Sequence, residues 1–399
     1  MTLHQSWFAR DARGWTCAPP DGAAAAFHRG LPGYAATPLV EAPGLAAELG
    51  VGRLFVKDES ARFDLRAFKF LGASWAGFRA VAALTGYAGP AALDGLRAHL
   101  RERETAGDAG LTLVTATDGN HGRAVARTAR LLGLPARVYL PKVAPDVVID
   151  RISAEGARIT TVDADYDGAV AAARSDAVGA VGAVGAVGAV GAVGRVLIQD
   201  TAWEGYEEIP SWIVGGYETM FAEIDAQLGA ADVPAVDLVC VPVGVGSLAQ
   251  AAVAHYRSSA LAAPARPRLL AVEPDTAACV LRSLADDALV SVPTDATVMN
   301  GLNCGTPSSI AWPYLRGGLD AAITVTDDEA REAIASLASA GVAAGPSGAA
   351  GLAGLRAALT GADAAARRRD LGLGRENHGD GLSVAVCVCT EGPLSTEDR

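Results

Sequence analysis

The sequence predicts an α/β protein with parallel sheet. Three observations carry that expectation. Short apolar runs alternate with helix-period segments, the pattern of right-handed βαβ units. Two glycine-rich turns, at 118–122 and 244–249, each follow an apolar run and open a helix, a geometry that aims several backbone N–H groups at one point. The 399 residues leave room for two packed domains, or for one large unit with a smaller one inserted.

In chain order, residues 2–49 read as loop-rich, with turns at Pro19-Pro20 and Pro32-Gly33. A strand follows at 53–57, then a polar loop and a helix from Phe68 to Ala83. Lys69 stands at the start of that helix between Phe68 and Phe70, where a lysine either snorkels outward or is held with a lowered pKa for chemistry. The strand 111–114 breaks into Thr115-Ala116-Thr117-Asp118-Gly119-Asn120-His121-Gly122-Arg123 and a helix to Leu134. A strand at 136–140, a helix at 145–155 and a strand at 158–162 come next. Residues 177–194 repeat Ala-Val-Gly six times, a period that fits neither helix nor strand and reads as an expanded surface connection. Strands are expected at 196–199, 238–243, 269–272, 322–325 and 383–389, and helices at 209–228, 327–340 and 347–359.

A formal net charge of −12 argues against a nucleic-acid backbone or an anionic membrane as partner. No apolar run is long enough to span a bilayer, and the first residues lack a signal-peptide pattern. The six cysteines contain no Cys-x-x-Cys, so no metal site is expected, and a reduced, cytoplasmic protein is. Cys387 and Cys389 share one face of a strand and suit buried packing.

Gly244-Val245-Gly246-Ser247-Leu248-Ala249 satisfies a dinucleotide-binding fingerprint, with Glu273 where a ribose-binding acid would sit. One phosphate cradle, however, does not account for two glycine turns and an enclosed lysine. Glu273 is better read as a capping or packing residue. Asn120 taken alone is a favoured N-cap, and Asp118 alone would favour a helix N-terminus by about 0.3–1 kcal/mol. His121 has no second metal ligand nearby.

Taken together, the lysine, the Gly-Asn-His-Gly turn and the Gly-Val-Gly turn resemble the fold-type II pyridoxal-phosphate (PLP) enzymes. The resemblance implies two open parallel-sheet α/β domains with the cofactor in the cleft between them: a large domain, 1–85 and 200–399, and a small one, 86–199. It implies that Lys69 bonds covalently to PLP beside Phe68, that Asn120 contacts the ring hydroxyl, and that Gly244, Val245, Gly246 and Ser247 bind the phosphate. It also makes Thr390 the candidate partner of the pyridine nitrogen, with Ser347 as runner-up.

Within that family the sequence is similar to the diaminopropionate ammonia-lyases, through Phe27–Tyr34, Thr37-Pro38-Leu39, Arg66–Lys69, Thr115–Gly122, Gln199–Tyr206, Gly301–Gly305 and Ser347-Gly348-Ala349. The serine and threonine dehydratases of the same fold, the alternative, carry a small residue where Asp118 stands. In them this turn grips the substrate carboxylate, which a fixed aspartate would repel. A second, cationic amine on the substrate offsets that cost by pairing with the acid. The resemblance therefore implies α,β-elimination of 2,3-diaminopropionate, both D and L, to pyruvate and two ammonia. Lys69 would be the base for the L-isomer, Asp118 for the D-isomer, and Asp200 a second acid near the β-amine. Thr115, Thr117, Asp118, Gly119 and Asp200 are the expected substrate contacts, and a homodimer the expected assembly. A PLP-binding protein without turnover is the non-enzyme alternative.

Overall fold

A computed structural model of the chain describes residues 4–9, 11–108, 110–178, 194–233, 235–262, 265–371, 373 and 384–394. The Ala-Val-Gly triplets at 179–193 lie outside the described residues, as does Ser383. The strands are β1 (Ser6–Phe8), β2 (Leu39–Glu41), β3 (Arg53–Asp58), β4 (Thr112–Ala116), β5 (Ala136–Pro141), β6 (Arg158–Val162), β7 (Arg195–Leu197), β8 (Leu238–Pro242), β9 (Arg268–Pro274), β10 (Ala321–Val325) and β11 (Val384–Cys389). They form two sheets in two compact units.

The first unit comprises Met1–Pro20, Ala36–Arg62 and Met220–Arg399. Its seven-stranded sheet runs β1-β10-β9-β8-β11-β3-β2. The five central strands are parallel, whereas β1 pairs antiparallel with β10 and β2 antiparallel with β3. The expected parallel sheet is thus mixed at its edges. Both edge strands are three residues long, too short for a period to show, and β1 is defined by pairing with residues more than 300 positions away. Strands β8, β10 and β11 are buried throughout, which explains their unbroken apolar runs.

Helix Pro346–Leu359 lies against this sheet through a glycine stripe. A Cβ on Gly354 would stand 2.2 Å from Val272 Cγ2, and one on Gly351 would stand 2.8 Å from Cys387 Sγ. Cys387 and Cys389 are fully buried. Helix Asp327–Ser339 opens with a reciprocal capping box in which Thr326 accepts from the Glu329 N–H and Glu329 accepts from the Thr326 N–H.

The second unit comprises Asp21–Ala35 and Phe63–Thr219, around the all-parallel sheet β6-β5-β4-β7. Helices Lys69–Thr85 and Asn120–Leu132 pack on one another so closely that a Cβ on Gly77 would stand 2.6 Å from Thr128 Cγ2. That packing brings the lysine helix into this unit, although the expected boundaries joined residues 1–85 to 200–399. Buried His28 ties helix Ala23–Arg29 to the same unit, bonding to Thr219 Oγ1 and donating to the Leu71 carbonyl. Helix Leu93–Thr105 buries only Leu93 and Leu96, a stripe too thin for periodicity to reveal.

The glycine stripe yields a direct test. Gly354→Ala should lower unfolding free energy by about 1–3 kcal/mol in denaturant titration, because the added methyl overpacks Val272.

Candidate active site

In the second unit, β4 delivers the chain into the turn at 117–119. Thr115, fully buried on the strand, donates from Oγ1 to Gln199 Oε1 at 3.1 Å. Thr117 is also buried, and its Oγ1 accepts from the Gly119 N–H at 2.9 Å, closing the turn. A Cβ on Gly122 would stand 2.2 Å from Thr117 Cγ2, so only glycine lets the helix start this close. Helix Asn120–Leu132 begins without a side-chain cap, leaving first-turn N–H groups to other acceptors. Asp118 is exposed at the tip of this turn.

Lys69 begins helix Lys69–Thr85, and its Nζ lies 2.5 Å from Asp200 Oδ2. Its side chain is 20 % exposed and that of Asp200 is 7 %. Burial opposes charge on Asp200, but His121, which carries charge only in acid, and Lys69 outweigh that penalty and hold the carboxyl well below the usual carboxylate range. His121 Nε2 donates to the Ile198 carbonyl at 2.8 Å, which directs Nδ1 toward Asp200 Oδ2, 3.7 Å away. Burial pushes the His121 pKa down, so the imidazole is neutral at pH 7 and Lys69 is the charge that balances Asp200.

Two buried polar atoms face this pair without a hydrogen-bond partner: His121 Nδ1 and the Tyr217 hydroxyl. Tyr217 is close enough to feel the charges of Lys69 and Asp200, and its ring closes over Gly72 and against Phe68 at 4.7 Å. Buried polar atoms are normally satisfied, and two orphans around one amine mark a place built for another group.

In the first unit, the topological switch point lies between β8 and β11: from β8 the sheet continues to β9 on one side and to β11 on the other. Ligands of open α/β sheets bind at the carboxyl ends of strands there. The turn 244–246 leaves β8 at that end, with Gly246 at φ 96°, and helix Ser247–Tyr256 opens with no side-chain cap and no acid in its first turn. A Cβ on Gly246 would stand 2.7 Å from Leu315 Cδ1, and one on Gly244 3.1 Å from Cys304 Sγ and the Gly301 carbonyl. Buried Thr390 directly follows β11. Ser347 Oγ accepts from the Gly301 N–H at 3.2 Å, and the Ser347 N–H donates to Glu391 Oε1.

Comparison with known proteins explains this set. Residues 31–367 match the family model "Pyridoxal-phosphate dependent enzyme". Diaminopropionate ammonia-lyase of Salmonella typhimurium is 37 % identical over 316 residues, spanning 76 % of this chain and 71 % of the relative. The chain belongs to the diaminopropionate ammonia-lyases, within the pyridoxal-phosphate-dependent enzymes. Two crystal structures of the Escherichia coli diaminopropionate ammonia-lyase, each 29 % identical, align over 99 % of this chain and 95 % of theirs. One, in complex with D-serine, gives a TM-score of 0.83; the other, in complex with an aminoacrylate–PLP azomethine reaction intermediate, gives 0.79. The fold is that of the fold-type II PLP enzymes.

The residues present suit the cofactor of this family. The first unit offers an uncapped helix N-terminus on a glycine turn, the recipe for a phosphate. The second offers a primary amine bonded to Asp200, with two buried polar atoms, His121 Nδ1 and the Tyr217 hydroxyl, that lack a hydrogen bond. The dinucleotide reading fails at Glu273, which is fully buried and accepts from the Val280 and Leu281 N–H groups at 2.8 and 2.7 Å. It holds the first turn of helix Cys279–Asp286, and its complete burial keeps it from a ribose.

Sequence reasoning did not assign the side chains that hold Asp200. Gln199 Oε1 accepts from Thr115 and from the Ala116 N–H, while its amide donates to the Tyr166 hydroxyl. Tyr206 OH accepts from the Gln199 N–H and donates to the Leu197 carbonyl, and its ring stacks on Trp203 at 4.5 Å. The 199–206 segment carried the signal without showing what each residue does.

Burial pushes the Glu273 carboxyl from 4.5 up to about 8, against the pull of its two N–H donors. A carboxyl raised by folding contributes stability that is present below its unfolded pKa and lost as pH rises toward the folded one. Thermal unfolding of the unsubstituted protein should therefore weaken between about pH 4.5 and 8 relative to Glu273→Gln, whose profile should be flatter in that window.

Proposed function

We propose that this chain eliminates ammonia from 2,3-diaminopropionate, D and L, giving pyruvate and two ammonia after hydrolysis by one water. The observation that carries the proposal is the Lys69–Asp200 pair, whose carboxylate is buried, together with an exposed Asp118 on the turn that follows β4. When bound, PLP supplies an electron-withdrawing ring that stabilises negative charge at the substrate α-carbon.

Lys69 is the amine that would hold the cofactor, with Asn120, Phe68, Thr390 and the 244–247 turn as its further contacts. A buried carboxylate without a cation is strongly unfavourable, by about 3–5 kcal/mol when one partner of such a pair is removed. Once the Lys69 amine is engaged in bonding, Asp200 loses its cation. The β-ammonium of diaminopropionate restores one, whereas serine and threonine bring only a hydroxyl. Asp200 thus selects for the second amine and keeps it protonated, as departure of neutral ammonia requires.

Removal of the α-proton needs a base on the face where that proton points. Lys69, freed when the substrate amine takes its place, serves the L-isomer. Asp118, exposed on the turn, serves the D-isomer, and the turn N–H groups with Thr117 and Gly119 receive the carboxylate. Thr115 acts from beneath, through Gln199. Neutral His121 keeps a second positive charge away from Lys69.

The same reading makes the protein a cytoplasmic homodimer. Its six cysteines are all free, which suits a reducing compartment, and no helix among the described residues is long and apolar enough to cross a membrane.

Pyruvate release from D-diaminopropionate, L-diaminopropionate, serine and threonine, measured side by side, tests the proposal. Diaminopropionate should be the preferred substrate, and preference for a hydroxy amino acid would refute it. Asp118→Asn should lower turnover of the D-isomer by about 100-fold or more and that of the L-isomer far less, since general-base contributions are about 10²–10⁴-fold. Equal losses would remove Asp118 as the stereospecific base. Lys69→Ala should abolish the visible absorbance of bound PLP.

A further inference from the structure

Among the described residues, five non-glycine residues have left-handed backbone, and three of them fall in one turn: Phe63 at φ 50°, Asp64 at φ 58° and Arg66 at φ 60°. This conformation is disfavoured for L side chains, most of all for a bulky one such as phenylalanine, and it persists only where the surroundings over-determine it. The turn ends three residues before Lys69, and the helix it feeds starts at Lys69 with no side-chain cap.

The surroundings that hold it come from helix Asn120–Leu132. Arg123 Nη1 donates to the Leu65 carbonyl at 3.1 Å, and Arg127 Nη1 reaches the Phe63 carbonyl at 3.5 Å. The Phe63 ring meets Phe70 edge-on at 4.7 Å. One carboxylate orients Arg127 by hydrogen bonds and pairs electrostatically with Arg123. Glu155, 4 % exposed, accepts from Arg127 Nε at 2.5 Å and Nη2 at 2.8 Å, and lies 3.4 Å from Arg123 Nε. A forked pair of this kind fixes the plane of a guanidinium. A third arginine, Arg130, also meets Glu155 at 3.1 Å, but its side chain is half exposed and it makes no bond to the turn.

We infer that Glu155, acting through Arg123 and Arg127, is a positioning device that clamps the turn 63–66 and thereby fixes where Lys69 stands. The inference rests on Lys69 being the reactive amine, as proposed above. The same helix begins with Asn120 and His121, so one rigid element ties the lysine to the residues on the far side of the Asp200 carboxylate. Burial opposes charge on Glu155, and the three arginines around it outweigh that penalty, keeping the clamp charged.

The test compares Arg127→Gln, Arg127→Lys and the control Arg130→Gln in the full-length holoenzyme. It reads amide hydrogen exchange across 64–69, kcat and KM for diaminopropionate, and thermal midpoint. Arg127→Gln should speed exchange of those amides about ten-fold and lower kcat by about 10–100-fold with little change in KM, the scale expected for a reactive group displaced by an ångström or less. Arg127→Lys, which keeps the charge but loses the fork, should fall between. Arg130→Gln should leave exchange and kcat unchanged. Asp64→Gly added to Arg127→Gln should recover much of the loss, because glycine adopts the left-handed conformation without strain. Unchanged exchange and kcat in Arg127→Gln, or equal losses in Arg127→Gln and Arg130→Gln that follow the thermal midpoint, would overturn the clamp. Absence of turnover in the unsubstituted protein would instead count against the proposed function, with the exchange comparison still deciding the clamp.

Discussion

A carboxylate as deeply buried as Asp200 persists only beside a cation, and Lys69 supplies one across 2.5 Å. Much of the second unit can be read as the machinery that keeps these two groups together. Gln199 and Tyr206 lock the backbone on one side of Asp200, His121 closes another side as a neutral imidazole, and Tyr217 packs its ring against Phe68, next to Lys69 in the chain. Removing solvent strengthens the attraction and raises the cost of any mismatch in charge. A site arranged this way discriminates by charge balance: it accepts a ligand that returns a positive group to Asp200 and resists one that does not.

The first unit contributes by different physics. Its parallel strands reverse direction of progression at β8 and β11, and the two residue sets expected to meet a phosphate and a ring nitrogen leave the ends of those two neighbouring strands. Glycine suits 246 because its φ is 96° and Leu315 crowds a Cβ, and it suits 244 because Cys304 and the Gly301 carbonyl would press on one. Glycines at 351 and 354 likewise suit the helix behind the sheet. Close backbone approach, rather than side-chain chemistry, shapes this part of the protein.

Much of this was legible in the sequence where the determining forces are local. Lys69 between two phenylalanines, the Asp118–Gly122 turn and the glycine turn after β8 each announce themselves within ten residues. The cluster around Asp200 does not, because His121 lies 79 positions away in the chain and its role depends on which ring nitrogen meets the Ile198 carbonyl. Buried charge was equally hidden: nothing in the local sequence marks Lys57 and Arg62, yet both are fully buried against Glu223 and Glu59. The left-handed turn at 63–66 has no glycine to betray it. The edge strands β1 and β2 were missed because three residues carry no period, and helix Tyr166–Val178 because the repeat that follows masks its end.

The central claim is that Lys69 and Asp200 are one coupled unit. A double-mutant cycle with Lys69→Met and Asp200→Asn, read as unfolding free energy of the cofactor-free protein, tests it most directly. Lys69→Met should cost about 3–5 kcal/mol by stranding a buried carboxylate, and Asp200→Asn less, since Lys69 keeps a fifth of its side chain exposed. The double variant should lose clearly less than the two single losses combined. Additivity within about 0.5 kcal/mol would contradict the account.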